Sequence, residues 1–198
     1  MTYTEQYLDE AVDILKRLDG AEIERMVDCL IRTREQNGRL FILGVGGGAG
    51  HASHAVCDFR KIDGIEAYSP SDNVSELTAR VNDDGWETTY ANWLRGSRIG
   101  AKDMVLVFSV GGGDAERNIS ANLVRALQCA KQAGATIGGV VGRDGGFTAQ
   151  VADVCVLVRV PNPATVTPHT EAFQAVVWHL LASHPRLRVA EMKWESVR

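Results

Sequence analysis

The chain has 198 residues, of which 45% are hydrophobic and 23% are charged, and its formal net charge at pH 7 is −4. This composition is typical of one globular domain that is long enough to bury a full core. It excludes a strongly basic surface for nucleic acid, and no apolar run approaches the ~20 residues that span a membrane.

The N-terminus and the cysteines indicate a cytoplasmic protein. The first residues contain no basic segment followed by an apolar core, so we expect no signal peptide. The four cysteines are scattered and form no CxxC pair; they are Cys29, Cys57, Cys129 and Cys155. This spacing favours reduced thiols and a cytoplasmic location over a disulfide framework.

Two amphipathic helices are predicted before any strand. Apolar residues recur at helical spacing over 3–18 and again over about 21–36, and each run ends at an Asp-Gly or Asn-Gly pair. A helix pair outside an α/β core often packs on a partner subunit, but it can equally cover one face of the chain's own sheet. The sequence leaves both interpretations open.

Strands and helices alternate over the rest of the chain. Apolar runs predict strands at 39–44, 65–68, 104–109, 136–141 and 154–160. Helical patterns occupy 49–62, 74–81, 86–97, the stretch from Asp114 to about 133, and 170–183, with turns at 82–85, 142–146 and 161–163. This alternation, with near-continuous apolar strands, predicts a parallel sheet with helices on both faces. Ligands bind at the carboxyl ends of the strands in such sheets.

A glycine cluster follows the first strand, at 44–50, and marks the predicted floor of an active site. Glycine permits the sharp turn from strand to helix and lets a ligand approach bare N–H groups. The helix that follows begins with unpaired N–H groups and the positive end of its dipole, which favour an anion. The same helix carries His54 and Asp58 four residues apart, and therefore on one face.

A second glycine cluster, at 111–113, follows the central strand. Neither cluster ends in Gly-Lys-Ser/Thr, so neither is a P-loop. A dinucleotide site would need an acidic residue at the end of the second strand, where Tyr68 and Ser69 stand instead. Nucleotide binding is therefore disfavoured.

Five segments together resemble a known family. They are Gly44-Val45-Gly46-Gly47-Gly48 with the following His54 and Asp58, Val81-Asn82-Asp83, 106–112, 142–146, and the last helix with Thr170-Glu171 and Trp178-His179. Over nearly the whole chain they resemble a sugar isomerase (SIS) domain and, within that group, the phosphoheptose isomerase family. The resemblance implies a three-layer αβα sandwich with a parallel five-stranded flavodoxin-like sheet and two N-terminal helices.

The resemblance also implies a domain organisation and an assembly. We expect residues 1–198 to form a single SIS domain, with a helical pair for packing at 1–37, a core at 38–184 and a tail at 185–198. The family forms homotetramers with active sites between subunits, and it often binds zinc or another divalent metal. The expected ligand is a sugar phosphate or a related sugar derivative, with no nucleic acid or membrane partner.

Four polar residues match the metal and catalytic positions of the family; they are His54, Asp58, Glu171 and His179. Two imidazoles and two carboxylates form a ligand set that zinc accepts. Aldose–ketose isomerisation also needs a base that moves a proton between adjacent carbons and an acid or metal at the carbonyl oxygen. Asp58 and His179 would share these roles through an enediol. The family usually has Glu at position 58, with a longer reach, and Gln at position 171. Alternative metal ligands are His51, His169 and Cys57.

The substrate contacts of the family fall on the glycine loops and on two acidic residues. The positions are Gly46, Gly47, Gly48, Asp83, Ser109, Gly111, Gly112, Gly113 and Asp114. The family binds the sugar phosphate through serine and threonine hydroxyls, each worth roughly 1.5–3 kcal/mol. Here Ser109 remains in the second loop, but Gly48 replaces a serine in the first. The backbone N–H groups of 111–113 can still form an anion nest. Asp114 suits the start of the following helix as an N-cap, but its charge repels a phosphate.

The leading hypothesis is an aldose–ketose isomerase that converts sedoheptulose 7-phosphate to a heptose 7-phosphate at a metal-assisted site. One alternative is a non-catalytic SIS protein that senses a sugar phosphate or binds a protein as a tetramer. Another is an isomerase for a different sugar, non-phosphorylated or nucleotide-linked. The four polar residues favour catalysis, whereas the reduced set of hydroxyls favours the alternatives.

Overall fold

Five short strands form one parallel sheet in the order β2-β1-β3-β4-β5. The structure is a computed structural model, and it describes residues 1–197. The strands are β1 (Arg39–Gly44), β2 (Glu66–Tyr68), β3 (Met104–Ser109), β4 (Thr136–Val141) and β5 (Val154–Leu157). The helices are α1 (Tyr3–Arg17), α2 (Gly20–Glu35), α3 (Gly47–Lys61), α4 (Val74–Asp84), α5 (Thr89–Gly96), α6 (Ala121–Gln132), α7 (Gly146–Val151), α8 (Val166–Ala182) and α9 (Lys193–Ser196).

Apolar side chains leave both faces of the sheet, which explains the near-continuous apolar runs in the sequence. In β1, Leu40 and Ile42 face one core, which α2, α3 and α8 cover. Phe41 and Leu43 face the other core, which α5 and α6 cover. Successive side chains of a strand point to opposite faces, so one run of residues supplies both cores. The predicted three-layer αβα sandwich with a parallel five-stranded sheet is confirmed.

Several element boundaries differ from the sequence prediction. Helix α3 begins at Gly47 rather than at 49, and α4 continues to Asp84, so that the predicted break at 82–85 shrinks to Gly85 with its positive φ of 79°. Helix α8 begins at Val166, four residues early, because Pro168 lies in the first turn, where its missing N–H breaks no helical hydrogen bond. The short helix α7 was not predicted.

Asp114 is the clearest correction, because it caps no helix. Helix α6 begins at Ala121, and its N-cap residue is Ser120 in the left-handed conformation. The backbones of Asp114 and Ile119 pair with each other in both directions, at 2.9 and 3.0 Å. The Asp114 carboxylate accepts hydrogen bonds from the backbone N–H groups of residues 116 and 117. Asp114 therefore closes a tight loop that delays the helix by six residues, and the N-cap interpretation is wrong.

The two N-terminal helices differ in what they cover. The apolar face of α2, which includes Ile23, Met26 and Leu30, is buried in the core of this chain. In contrast, α1 buries Ile14 but leaves an apolar stripe exposed; its members are Tyr3, Leu8, Val12 and Leu15. Helix α2 therefore covers the sheet of its own chain, which is one of the two predicted roles. Helix α1 retains an apolar surface that a partner could cover.

A buried polar network attaches α1 to the beginning of α8. The Glu10 carboxylate accepts hydrogen bonds from the side chains of Thr165 and Asn162, each at 2.7 Å, and lies 2.9 Å from Nε2 of His169. The hydroxyl of Thr165 and the amides of Gln6 and Asn162 lower the pKa of Glu10 to about 2. These donors favour the charged carboxylate. Because Glu10 of α1 bonds to Thr165 and His169, the network holds the first turn of α8 against α1.

The tail docks on the end of α3. Leu187 is buried, and the N–H groups of Val189 and Ala190 donate to the Ile62 carbonyl at 2.9 and 3.0 Å. The Arg34 guanidinium binds the backbone carbonyls of Asp63 and Leu187. The predicted tail at 185–198 ends in Arg198, which lies outside the described residues. Within residues 1–197, no helix is both long and apolar enough to cross a bilayer.

Asp63 is a fully buried acid beneath this tail. Neither of its carboxyl oxygens has a hydrogen-bond partner within residues 1–197. Burial raises the pKa of Asp63 to about 8, against the opposing charge of Arg34. Between pH 3.8, which is the ordinary pKa, and about pH 8, Asp63 is therefore protonated in the folded state and ionised in the unfolded state. Stability from this proton is complete below the lower value and is lost as the pH rises through about 8.

Asp63→Asn should raise the free energy of unfolding at pH 9, because the amide stays neutral at a pH at which the buried Asp63 carboxyl group is charged. The advantage over the wild type should shrink as the pH falls towards 5, by up to roughly 1.4 kcal/mol per pH unit. Urea unfolding at pH 5, 7 and 9 measures this difference. Asp9→Asn, which removes an exposed acid of α1, is the matched control. A pH-independent difference for the Asp63 variant would contradict the raised pKa.

Candidate active site

Helices α3 and α8 lie side by side and bring three of the four predicted ligands together. The ligand atoms of His54, Asp58 and His179 all lie within 4.8 Å of one another. Nε2 of His54 is 3.9 Å from a carboxylate oxygen of Asp58. Both imidazoles are exposed and Asp58 is half-buried. The three residues, called the His-Asp-His cluster below, therefore line an open groove between the two helices.

The protonation of His179 follows from its contact with the helix backbone. Its Nδ1 lies 2.8 Å from the carbonyl oxygen of Ala175, and a carbonyl can only accept a hydrogen bond. Nδ1 therefore carries the proton, and the lone pair of the neutral ring is on Nε2. A backbone carbonyl behind an imidazole is the usual partner of a metal-binding histidine.

Trp178 is the floor beneath both imidazoles. Its indole is buried, with its ring centroid 4.7 Å from that of His54 and 3.5 Å from that of His179. Its indole nitrogen has no hydrogen-bond partner within the described chain. A rigid aromatic surface limits the rotamers of both histidines, which keeps their nitrogens at the groove.

Glu171, the fourth predicted ligand, lies elsewhere. It is eight residues before His179, or about 12 Å along the helix at 1.5 Å per residue, and it is not part of the His-Asp-His cluster. A Cβ atom on Gly47 would lie 2.5 Å from the Glu171 carboxyl group. The carboxylate thus sits against the first turn of α3, where the helix dipole stabilises negative charge. A carboxylate of the protein therefore lies next to the anion position predicted at the first glycine cluster.

The three alternative ligands are also outside the cluster, as far as residues 1–197 describe it. His51 is half-buried near Glu171; burial lowers the pKa of His51, against the opposing charge of the carboxylate. His169 is buried against Glu10 and stacks on Tyr7. Cys57 is exposed on α3.

In each of the two clusters, one glycine permits close packing of backbones: Gly48 in the first and Gly112 in the second. A Cβ atom on Gly48 would lie 2.4 Å from the Phe108 carbonyl oxygen, so a serine does not fit there. A Cβ atom on Gly112 would lie 1.9 Å from the Gly145 carbonyl oxygen. The missing hydroxyl at position 48 is therefore a consequence of how this sheet edge packs.

The second cluster still offers hydrogen-bond donors at the carboxyl end of β3. The N–H groups of Gly111 and Gly113 have no acceptor within residues 1–197. The Ser109 hydroxyl accepts from the Gly112 N–H at 3.0 Å, and its own proton remains available. Ser120, which was not among the predicted site residues, lies at the start of α6, and its hydroxyl makes no capping bond. A serine just before a periodic apolar run is an N-cap signal that could have identified it.

Asp83 lies apart from these groups. It is exposed in the last turn of α4, where its carboxylate accepts a hydrogen bond from the Asn82 amide at 2.7 Å. No contact within the described residues joins it to the His-Asp-His cluster. Its role in substrate binding stays a prediction.

Known proteins of similar sequence and structure indicate the family and the fold of the chain. No protein-family model matches the chain. The chain is 29% identical over 183 residues to a phosphoheptose isomerase of Helicobacter pylori strain P12, covering 89% of this chain and 90% of the relative. It is 31% identical over 166 residues to a phosphoheptose isomerase of Trichlorobacter lovleyi, covering 81% and 79%. The solved structure of phosphoheptose isomerase GmhA from Neisseria gonorrhoeae superposes with a TM-score of 0.77 at 21% identity, covering 90% of this chain and 95% of that one.

The sheet order, the helices on both faces and the superposition define an αβα sandwich with the SIS fold. The identity of 31% over 81% of the chain makes the assignment more specific. The chain belongs to the phosphoheptose isomerase family, and it is an isomerase. The family predicted from the sequence is confirmed.

Gly48→Ser should destabilise the protein even though it restores a hydroxyl of the family. The new side chain meets the Phe108 carbonyl, and overpacking of this kind costs about 1–3 kcal/mol, or roughly 2–12 °C in Tm. Gly50→Ser is the matched control, because it lies on the same helix with no atom within 4 Å of a new Cβ. Thermal unfolding compares the two variants. Equal melting temperatures would contradict the packing argument.

Proposed function

We propose that the protein interconverts sedoheptulose 7-phosphate and a heptose 7-phosphate with the help of a divalent metal. The names of its relatives support this substrate. The proposed metal-assisted chemistry is inferred from the His-Asp-His cluster. A sugar with its carbonyl near one end and its phosphate at the other needs two separated subsites. The groove between α3 and α8 and the loop after β3 supply them.

The His-Asp-His cluster fits a catalytic zinc ion. Two neutral nitrogens and one carboxylate leave a coordination position open for substrate, as in other catalytic zinc sites. Nε2 of His179 already has its lone pair directed away from the backbone carbonyl. When bound, the ion would polarise the carbonyl oxygen of the sugar. Glu171 is excluded from this ligand set in the proposal, because its carboxylate lies at Gly47.

Asp58 is the proposed proton carrier, because the proposed zinc site leaves His179 no free ring nitrogen: Nδ1 contacts the Ala175 carbonyl and Nε2 would hold the ion. A carboxylate has two oxygens, so Asp58 can face His54 with one and take a proton from the sugar with the other. Returning that proton to the adjacent carbon, while a hydroxyl proton passes from the neighbouring oxygen of the sugar to the former carbonyl oxygen, completes an aldose–ketose conversion through an enediol. Because Asp is shorter than the usual Glu, we expect the sugar carbons to lie closer to α3 than in relatives with Glu.

The phosphate is proposed to bind at the second glycine cluster. Ser109, the N–H groups of Gly111 and Gly113, and Ser120 at the start of α6 are the donors available there. The first cluster is a poor phosphate site, because the Glu171 carboxylate would repel a second anion.

We also propose that the enzyme is a cytoplasmic homotetramer with active sites between subunits. The apolar stripe of α1 is exposed, and so are Val176 and Leu180 of α8, which flank His179. A partner subunit that covered these residues would also close the open groove. The unpaired cysteines are compatible with a reducing compartment.

His179→Ala should remove bound zinc and isomerase activity together, because it removes a ligand with a correctly placed lone pair. Zinc content is measured by mass spectrometry, and turnover is measured with sedoheptulose 7-phosphate. His184→Ala removes an imidazole outside the cluster and should match the wild type in both. A zinc content that His179→Ala leaves unchanged would refute the metal site.

Asp58→Asn should lower kcat by about 100-fold or more, since a positioned acid–base group contributes at least that much. Asp58→Glu, which installs the usual residue of the family, should retain measurable turnover because it keeps the carboxylate. Background-level turnover by the wild type would refute the proposed substrate. Equal kcat values for the Asn and Glu variants would refute the role of Asp58.

A further inference from the structure

Arg143 is an unpaired cation at the carboxyl edge of the sheet. It follows β4, is exposed, and has no hydrogen-bond or ion-pair partner within residues 1–197. A Cβ atom on Gly111 would lie 3.8 Å from the δ-carbon of Arg143. The arginine side chain thus runs along the second glycine cluster, at the loop where the family has hydroxyls and this chain has glycines.

The backbone of Arg143 is left-handed because this residue lies in a tight turn. Its φ is 53°, a left-handed value that residues with a side chain rarely adopt. Asn37 and Arg98 also have positive φ, but they follow helices α2 and α5, where a left-handed residue is the ordinary C-terminal cap. Arg143 instead lies in the turn between β4 and the short helix α7, in which the Gly145 N–H donates to the Gly142 carbonyl at 3.0 Å. This turn, rather than a helix cap, accounts for the left-handed residue.

The surroundings of Arg143 provide other donors but few competing acceptors. The unbonded N–H groups of Gly111 and Gly113 and the proton of Ser109 belong to the same loop. The nearest acids in sequence have partners: the carboxylate of Asp144 accepts from the Gly146 N–H, and that of Asp114 lies 3.7 Å from the Arg117 guanidinium. A guanidinium beside such donors matches an oxyanion with several acceptor oxygens.

We propose that Arg143 binds the anionic group of the substrate, a phosphate or another oxyanion, against the Gly111–Gly113 loop. The inference rests on the proposed function, because it assigns the counter-charge for the same substrate. Arg143 replaces the missing hydroxyls in charge and in hydrogen bonds. It makes the enzyme selective for sugars that carry an anion at the end remote from the His-Asp-His cluster.

The test compares Arg143→Asn with Arg98→Asn. Both arginines are exposed, and both have a left-handed backbone that asparagine tolerates, so both variants should fold with the wild-type melting temperature. Calorimetry with inorganic phosphate gives the Kd, and turnover of sedoheptulose 7-phosphate gives KM and kcat. For Arg143→Asn we expect the Kd and KM to rise about 10–100-fold, as for a lost charge-assisted hydrogen bond, with kcat changed far less. Arg98→Asn should match the wild type.

The two proposals fail in different ways. If the wild type turns over the sugar phosphate but both variants share its KM and phosphate Kd, the role of Arg143 is wrong and the proposed function stands. If the wild type shows no turnover but Arg143→Asn alone loses phosphate, the proposed substrate is wrong and the anion site stands. A wild type that binds no phosphate overturns the anion site.

Discussion

The site depends on backbone contacts that leave no room for a side chain. A Cβ atom would lie 2.4 Å from the Phe108 carbonyl at Gly48, 1.9 Å from the Gly145 carbonyl at Gly112, and 2.3 Å from the Thr170 hydroxyl at Gly142. These contacts join the start of α3, the end of β3, the loop after β4 and the start of α8. Because close packing transmits small shifts, the four elements hold one another in place, and the loops at the carboxyl edge become a rigid rim.

This packing determines where negative charge can reside. Gly47 makes room for the Glu171 carboxylate at the first turn of α3, where the helix dipole favours it. The buried network around Glu10 fixes the beginning of α8 and therefore the position of Glu171. Under the proposed function, a substrate anion would therefore bind at the loop after β3 and not beside Glu171. The His-Asp-His cluster lies on the same two helices as Glu171 and Gly47, about two turns further along, so one helix pair positions both the cluster and the Glu171 carboxylate.

Much of this arrangement could be predicted from the sequence, and the reason lies in periodicity. Near-continuous apolar runs predicted the strands, and the four-residue spacing of His54 and Asp58 placed these two side chains on one helical face. Contacts between distant segments were not predictable. The position of Glu171 depends on Gly47, and the role of Asp114 depends on its pairing with Ile119. The glycines were interpreted as a ligand cradle because sequence alone cannot distinguish a glycine that approaches a ligand from one that approaches another backbone.

Two departures from the family, Gly48 for serine and Glu171 for glutamine, have a common physical explanation. A serine at position 48 would clash with the Phe108 carbonyl of β3, and the Glu171 carboxylate lies beside the neighbouring Gly47. A neutral glutamine at position 171 would not repel a phosphate there, whereas the glutamate carboxylate does. The two changes are therefore compatible with each other and incompatible with a phosphate at the first cluster. If the anion binds beside Arg143 as proposed, the reduced set of hydroxyls is compatible with a phosphorylated substrate.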